Sequence, residues 1–140
     1  MVDLEAWYDE EQDDAVILRT PAELDAVLDA VAEREGRILV DLYVVGNPGR
    51  ANFNVGLHGR AGRGALYYAG GGQKWFSTET PGPDWSADEP VLYYLMNSDT
   101  EYPADSEIPL DVVRRAAHEF MTTGGERPTA SAWRAAPDWW

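Results

Sequence analysis

The chain has 140 residues, of which 44% are hydrophobic and 26% charged, a composition that suits one globular domain and is too apolar for a disordered acidic segment. It contains no cysteine, which excludes disulfides, zinc–thiolate centres, thiol nucleophiles and iron–sulfur clusters. A net charge of −14 repels nucleic acid and anionic membranes and attracts cationic partners.

The charge is unevenly spread. Residues 1–35 hold 12 acids and 2 bases, residues 36–83 hold 2 and 5, residues 84–113 hold 8 and none, and residues 114–140 hold 3 and 4. A basic protein is therefore the partner to consider. The start, MVDLEAWYDEEQDD, lacks the positive and apolar regions of a secretory signal, and no run of about 18 apolar residues offers a membrane span. Cytoplasmic residence is the expectation.

Residues 2–8 alternate, with Val2, Leu4, Ala6 and Tyr8 on one side, the period of a half-buried strand. After the acidic turn 9–14, Ala15 to Leu18 reads as a second short strand. Thr20-Pro21-Ala22-Glu23 then supplies an N-cap, a proline at the first helical position and a glutamate three residues after the cap. Leu24, Val27, Leu28 and Val31 follow at helical spacing and Gly36 gives a stop, so the pattern predicts a helix over 21–34. Residues 37–45 are apolar on both faces apart from Asp41, as in a central strand covered on both sides. The expectation for Asp41 itself is satisfaction by backbone donors or an arginine, or a place at an edge.

A turn is expected at 47–49. Phe53, Val55 and Leu57 then alternate with Asn52, Asn54 and Gly56, a strand with one polar face. Glycine-rich turns separate further strands at 65–69 and 74–76, which read as successive hairpins. In the doublets Tyr67-Tyr68 and Tyr93-Tyr94, one ring of each is expected inside and the other exposed. Residues 91–96 form another strand, and the acidic stretch 97–108, with Pro103 and no period, reads as a loop. Pro109 opens a second helix with Leu110, Val113, Ala117 and Phe120 on one side, Gly124-Gly125 ends it, and Thr129 to Arg134 is a last strand. The tail 135–140 is expected to be loosely ordered. Together these elements predict a single α+β domain over 1–140, a largely antiparallel β-sheet with two amphipathic helices packed on it.

No catalytic or metal site emerges, and no cofactor is expected. His58 and His118 stand apart without ligand spacing and read as surface residues. Gly70-Gly71-Gly72-Gln73-Lys74 lacks the phosphate-loop spacing and leads into a strand, so it reads as a hairpin loop. No serine has a nucleophile-elbow context. Carboxylates and six tryptophans leave open a small-ligand or carbohydrate-binding domain, and a hydrolase with an inward carboxylate pair.

The stretch YYLMNSDTEYPADSEIPLDVV, residues 93–113, holds five carboxylates and no lysine or arginine. Two exposed carboxylates about 8 Å apart repel by roughly 0.5 kcal/mol in water, and salt screens this further. Charge alone therefore leaves solubility and partner binding equally open. Its aromatic neighbours favour binding, since aromatic anchors beside like charges suit a basic protein surface.

Five ordered segments carry a resemblance over nearly the whole chain. Thr20-Pro-Ala-Glu-Leu-Asp, Leu66-Tyr-Tyr-Ala-Gly with Trp75-Phe-Ser, Glu89-Pro-Val-x-Tyr-Tyr, Thr100-Glu-Tyr-Pro-Ala-Asp-Ser-Glu-Ile-Pro, and Thr123-Gly-Gly-Glu-Arg-Pro-Thr-x-x-x-Trp133 resemble Imm family 1 of bacterial immunity proteins. The resemblance implies a non-catalytic inhibitor that binds the toxin domain of a polymorphic toxin encoded beside it, often a DddA-like cytidine deaminase, with no nucleic-acid or membrane partner. It supplies no catalytic residue. The toxin-binding set expected from the acidic stretch and its neighbours is Trp75, Tyr94, Asp99, Glu101, Tyr102, Asp105 and Glu107, with the cluster at 9–14 left without a role.

Overall fold

The computed structural model describes residues 1–47 and 51–140, so the turn expected at 47–49 lies, apart from Asn47, outside the described residues. In chain order the elements are β1 (Leu4–Trp7), β2 (Val16–Leu18), α1 (Pro21–Ala32), β3 (Ile38–Val44), β4 (Asn52–His58), β5 (Arg63–Gly70), β6 (Gln73–Thr78), β7 (Val91–Leu95), β8 (Ser98–Tyr102), β9 (Ile108–Pro109), α2 (Leu110–Thr123) and β10 (Ala132–Ala135). The main path of the sheet runs β10-β6-β5-β4-β3-β1-β2, with every neighbouring pair antiparallel. The expected α+β class and the successive hairpins are therefore present.

The helix signals act as the sequence implies. The Thr20 hydroxyl accepts the Glu23 N–H at 3.1 Å, and the Glu23 carboxylate accepts the Arg19 N–H at 2.8 Å. These bonds satisfy donors that an unpartnered helix start would leave bare. The helix ends two residues earlier than expected, at Ala32, and the Arg34 N–H bonds the Val31 carbonyl three residues back, which tightens the last turn. In α2, Pro109 is the residue before the helix, and Gly124 ends it at φ +78°, a left-handed conformation that glycine adopts without strain.

Leu24, Val27, Leu28 and Val31 of α1 and Val113, Ala117 and Phe120 of α2 pack on Val40, Leu42, Phe53, Val55 and Leu57 of the sheet. Phe53 and Phe120 stack with ring centres 4.6 Å apart. A second core lies on the opposite face, where Tyr93 and Tyr102 cover Leu39, Ala65, Tyr67 and Phe76. Burial on two faces overturns two expectations. The Asn-Gly side of β4 is not a solvent face, since Asn54 and Gly56 are both buried. Likewise Tyr67 and Tyr68 are both inside, each under its own layer, and only the Tyr93-Tyr94 pair splits into a buried and a half-buried ring.

The acidic stretch is also not the loop expected over 97–108. Residues 98–102 form β8, antiparallel to β7, with a short 3₁₀ turn at 104–106 and β9 following. Met96 and Asn97 turn the chain at φ +50° and +81°, the doubly positive pattern of a tight hairpin turn. Pro103 stands just beyond the strand, where it removes no ladder bond.

At the C-terminal end, β10 starts at Ala132, not at Thr129. The Thr129 and Ala130 N–H groups go to the Glu119 carboxylate, which keeps that segment out of the ladder. The tail does not hang free. The Trp140 ring sits 4.5 Å from Tyr67 and 5.0 Å from Phe76, and its indole N–H donates to the Glu101 carbonyl at 2.5 Å.

Candidate functional site

The β7–β8 hairpin divides the expected residues by the period of two. Cross-strand partners are Leu92 with Glu101 and Tyr94 with Asp99 on one side, and Val91 with Tyr102 and Tyr93 with Thr100 on the other. Tyr93 and Tyr102 point into the second core and are fully buried. The outer side therefore carries a row of Leu92 and Tyr94 beside a row of Asp99 and Glu101, and Leu92 is 51% exposed. A leucine held out to solvent between aromatic and acidic neighbours is the arrangement of a contact surface with an apolar centre.

A second acidic segment joins this face. The Tyr94 hydroxyl donates to the Glu10 carboxylate at 2.9 Å, 84 residues away in sequence. Gln12 shapes the turn that offers Glu10: its side-chain oxygen accepts the N–H groups of Tyr8 and Asp9, and its amide donates to the carbonyls of Ala6 and Asp14. Arg34, two residues past the end of α1, holds the turn through Asp9 at 3.3 Å. The cluster at 9–14, which had no role in the sequence, is thus brought to the edge of the hairpin.

Four of the seven expected residues, Trp75, Tyr102, Asp105 and Glu107, lie elsewhere. Tyr102 is a core ring packed 4.8 Å from Phe76 and is no surface anchor. Asp105 pairs with Arg134 at 3.0 Å and accepts the Ser86 N–H at 3.1 Å. Arg134 is 6% exposed, bonds the carbonyls of Thr80 and Gly82, and lies 4.4 Å from the Trp85 ring centre, so this pair pins the 79–90 segment to the sheet.

Glu107 belongs to a half-buried polar knot. Its carboxylate accepts two bonds from Arg37, at 3.0 and 3.1 Å, and one from the Tyr93 hydroxyl at 2.6 Å. Its backbone carbonyl accepts from Arg63 at 2.7 Å. Burial disfavours the charge, but the Arg37 and Tyr93 hydrogen bonds outweigh it and hold the carboxyl below its ordinary range. Burial, then Glu107, pushes the Tyr93 hydroxyl far up, so it remains a donor. His58 stands 4.0 Å from Glu107, and His118 contacts Asp25 at 2.7 Å; both are half-buried beside acids instead of freely exposed.

Trp75, the remaining expected residue, is separate from the hairpin's outer rows. With Lys74 and Trp140 it lines a groove of about 460 Å3 at the end of β6 and β10. Asp41 accepts hydrogen bonds from the side chains of Tyr43, Asn52 and Asn54. Among the described residues no group of three or more histidines and acids is placed to hold a metal, and no helix is long and apolar enough to cross a membrane.

Sequence reasoning missed Leu92, Glu10 and Trp140. For Leu92 the signal was present, since Leu92 and Tyr94 alternate with Tyr93 just as Asp99 and Glu101 alternate with Thr100 and Tyr102. Comparison with known proteins adds one positive result: a family model described as Immunity protein Imm1 matches residues 12–135. No curated protein matches the chain.

Proposed function

The chain belongs to the Imm1 family of immunity proteins, and from that premise we propose that it neutralises a nucleic-acid cytidine deaminase toxin by laying its acidic hairpin in the toxin's basic substrate groove. An enzyme that works on a polyanion gathers cations around the strand it holds and around the pocket that receives the base. An acidic face that fits that groove competes with the nucleic acid for the same cations. Inhibition then needs no turnover and no cofactor, only occupancy.

The observation that carries this reading is the outer side of the hairpin, where Asp99 and Glu101 flank Leu92 and Tyr94, with Glu10 at its edge. Side chains two apart on one strand face are about 7 Å apart, so the two acids engage neighbouring cations while the apolar row fills the space between them. Long-range attraction speeds encounter, and the leucine and tyrosine slow escape.

The test is co-expression with the toxin domain encoded beside the chain, followed by association kinetics of the purified pair. Wild-type protein is expected to protect cells and bind. The double substitution Asp99→Lys with Glu101→Lys is expected to slow association about tenfold or more at low salt and to flatten its salt dependence, without lowering the melting temperature. No protection together with no association refutes the reading, and unchanged kinetics in the double variant removes the hairpin from the interface.

A further inference from the structure

Ten of the lysines and arginines lie among the described residues, and seven of them are within 4.0 Å of a carboxylate: Arg34, Arg37, Arg60, Arg63, Arg114, Arg115 and Arg134. In a chain with 25 acids that is the expected outcome. Arg19, Lys74 and Arg127 are the three without such a partner among the described residues, and Lys74 and Arg127 each stand over an indole, on opposite faces of the sheet. The Lys74 ammonium is 5.8 Å from the Trp140 ring centre, and the Arg127 guanidinium is 4.5 Å from that of Trp75.

A ring face steadies a cation without using its N–H donors, so both groups remain able to bond an acid brought from outside. The groove of about 460 Å3 lies against Lys74, with Gln73, Trp75, Ala136, Pro137 and Trp140 also on its walls. Its walls combine Lys74, Gln73 and the Trp140 ring that carries the lysine, which suits a carboxylate attached to an apolar body. The groove also borders the acidic hairpin, because Trp140 donates its indole N–H to the carbonyl of Glu101 in β8. One side of the same surface is thus acidic and the other cationic.

We propose that the groove of Lys74, Trp75 and Trp140 is a second toxin contact of opposite sign, which receives an acidic side chain and its apolar neighbour from a loop of the toxin. The proposal rests on the toxin-binding reading above. It supplies what an all-acidic face lacks: acids alone attract any basic groove and can slide along it, whereas one pair of reversed polarity fixes register and rejects toxins without the matching acid.

The experiment measures wild type, Lys74→Glu and Lys74→Arg against the toxin domain by association kinetics, with the indole N–H signals of isotope-labelled protein followed on binding. Lys74 is exposed, so neither variant disturbs the core. Lys74→Glu is expected to raise Kd about tenfold or more, chiefly through faster dissociation, while Lys74→Arg stays within about threefold of wild type. The Trp140 signal is expected to shift on binding. Wild-type affinity in Lys74→Glu, with that signal unmoved, overturns the groove contact and leaves the immunity reading intact. A wild-type chain that binds no toxin removes both.

Discussion

Glu107 offers the sharpest separation of fold from function, because its sequence context marked it for the partner while its geometry ties it to the core. Replacing it with alanine removes three accepted bonds at once, two from Arg37 and one from the Tyr93 hydroxyl. Breaking a fully buried ion pair costs about 3–5 kcal/mol. Here the Arg37 side chain is 31% exposed and regains water, so its share falls to about 1 kcal/mol. Tyr93 is fully buried, and its stranded hydroxyl adds about 1–3 kcal/mol. The sum is about 3 kcal/mol. With an unfolding entropy of about 2.1 cal/mol/K per residue, that corresponds to a fall in melting temperature of about 10 °C.

Thermal melts followed by circular dichroism check the figure, and their pH dependence checks its cause. Glu107 has a folded pKa below its ordinary value, so its charged form contributes stability above the unfolded carboxylate value of about 4.3, and that contribution is lost as pH falls through the folded value. The gap between wild type and Glu107→Gln is therefore expected to be constant from about pH 8 to pH 5 and to close below about pH 4. Glu107→Gln keeps an acceptor for Tyr93, so at neutral pH it should lose about half as much as alanine, and its association with toxin should match wild type. A fall of less than about 3 °C for Glu107→Ala, or a Glu107→Gln gap unchanged at low pH, refutes the structural role. Slower toxin association in a folded Glu107→Gln returns the residue to the interface.

Gly56→Ala places a Cβ 2.6 Å from the Tyr93 ring and 3.0 Å from the Ala65 carbonyl, so the hairpin must shift; urea unfolding should show a loss of about 1–3 kcal/mol, and near-ultraviolet circular dichroism a changed tyrosine environment. Thr20→Ala removes the acceptor for the Glu23 N–H, and should cost about 1 kcal/mol in the same urea assay with toxin binding unaltered. Tyr94→Phe cuts the bond to Glu10; since the pair is exposed, the melting temperature should stay at the wild-type value, while association with toxin slows severalfold if the 9–14 turn acts with the hairpin.

What could be read from the sequence divides by the range of the interaction that fixes it. Both helices were legible because their signals are local: Thr20 and Glu23 close one start, Gly124 closes one end, and the apolar spacing needs only a sheet to pack on. The second core was not, because the cover of Tyr67 and Phe76 comes from Tyr93, Tyr102 and Trp140, far along the chain. One clue was available in Gly56, a glycine inside a strand, which marks a place where another group comes close; here that group is the Tyr93 ring. The hairpin turn was hidden for a different reason. Met96 takes a positive φ that its side chain disfavours, so it read as the last residue of a strand over 91–96, with a loop following from Asn97.

The acidic stretch was misjudged as one object because net charge has no direction. Its members do two different things, and which one depends on whether the residue lies on β8 or past its end. Asp99 and Glu101 face outward on β8, where like charges remain cheap in water. Asp105 and Glu107 lie past Pro103 and meet Arg134 and Arg37, where removing either strands a cation or a buried donor. Reversing all four together would therefore abolish binding by weakening the fold, and such a result would say nothing about the interface. The informative contrast is between the two pairs: reversal at 99 and 101 should change association with an unchanged melting temperature, while neutralisation at 105 and 107 should lower the melting temperature with association intact below the transition. If the pairs behave alike, the division of this segment into an outward face and an inward brace is wrong.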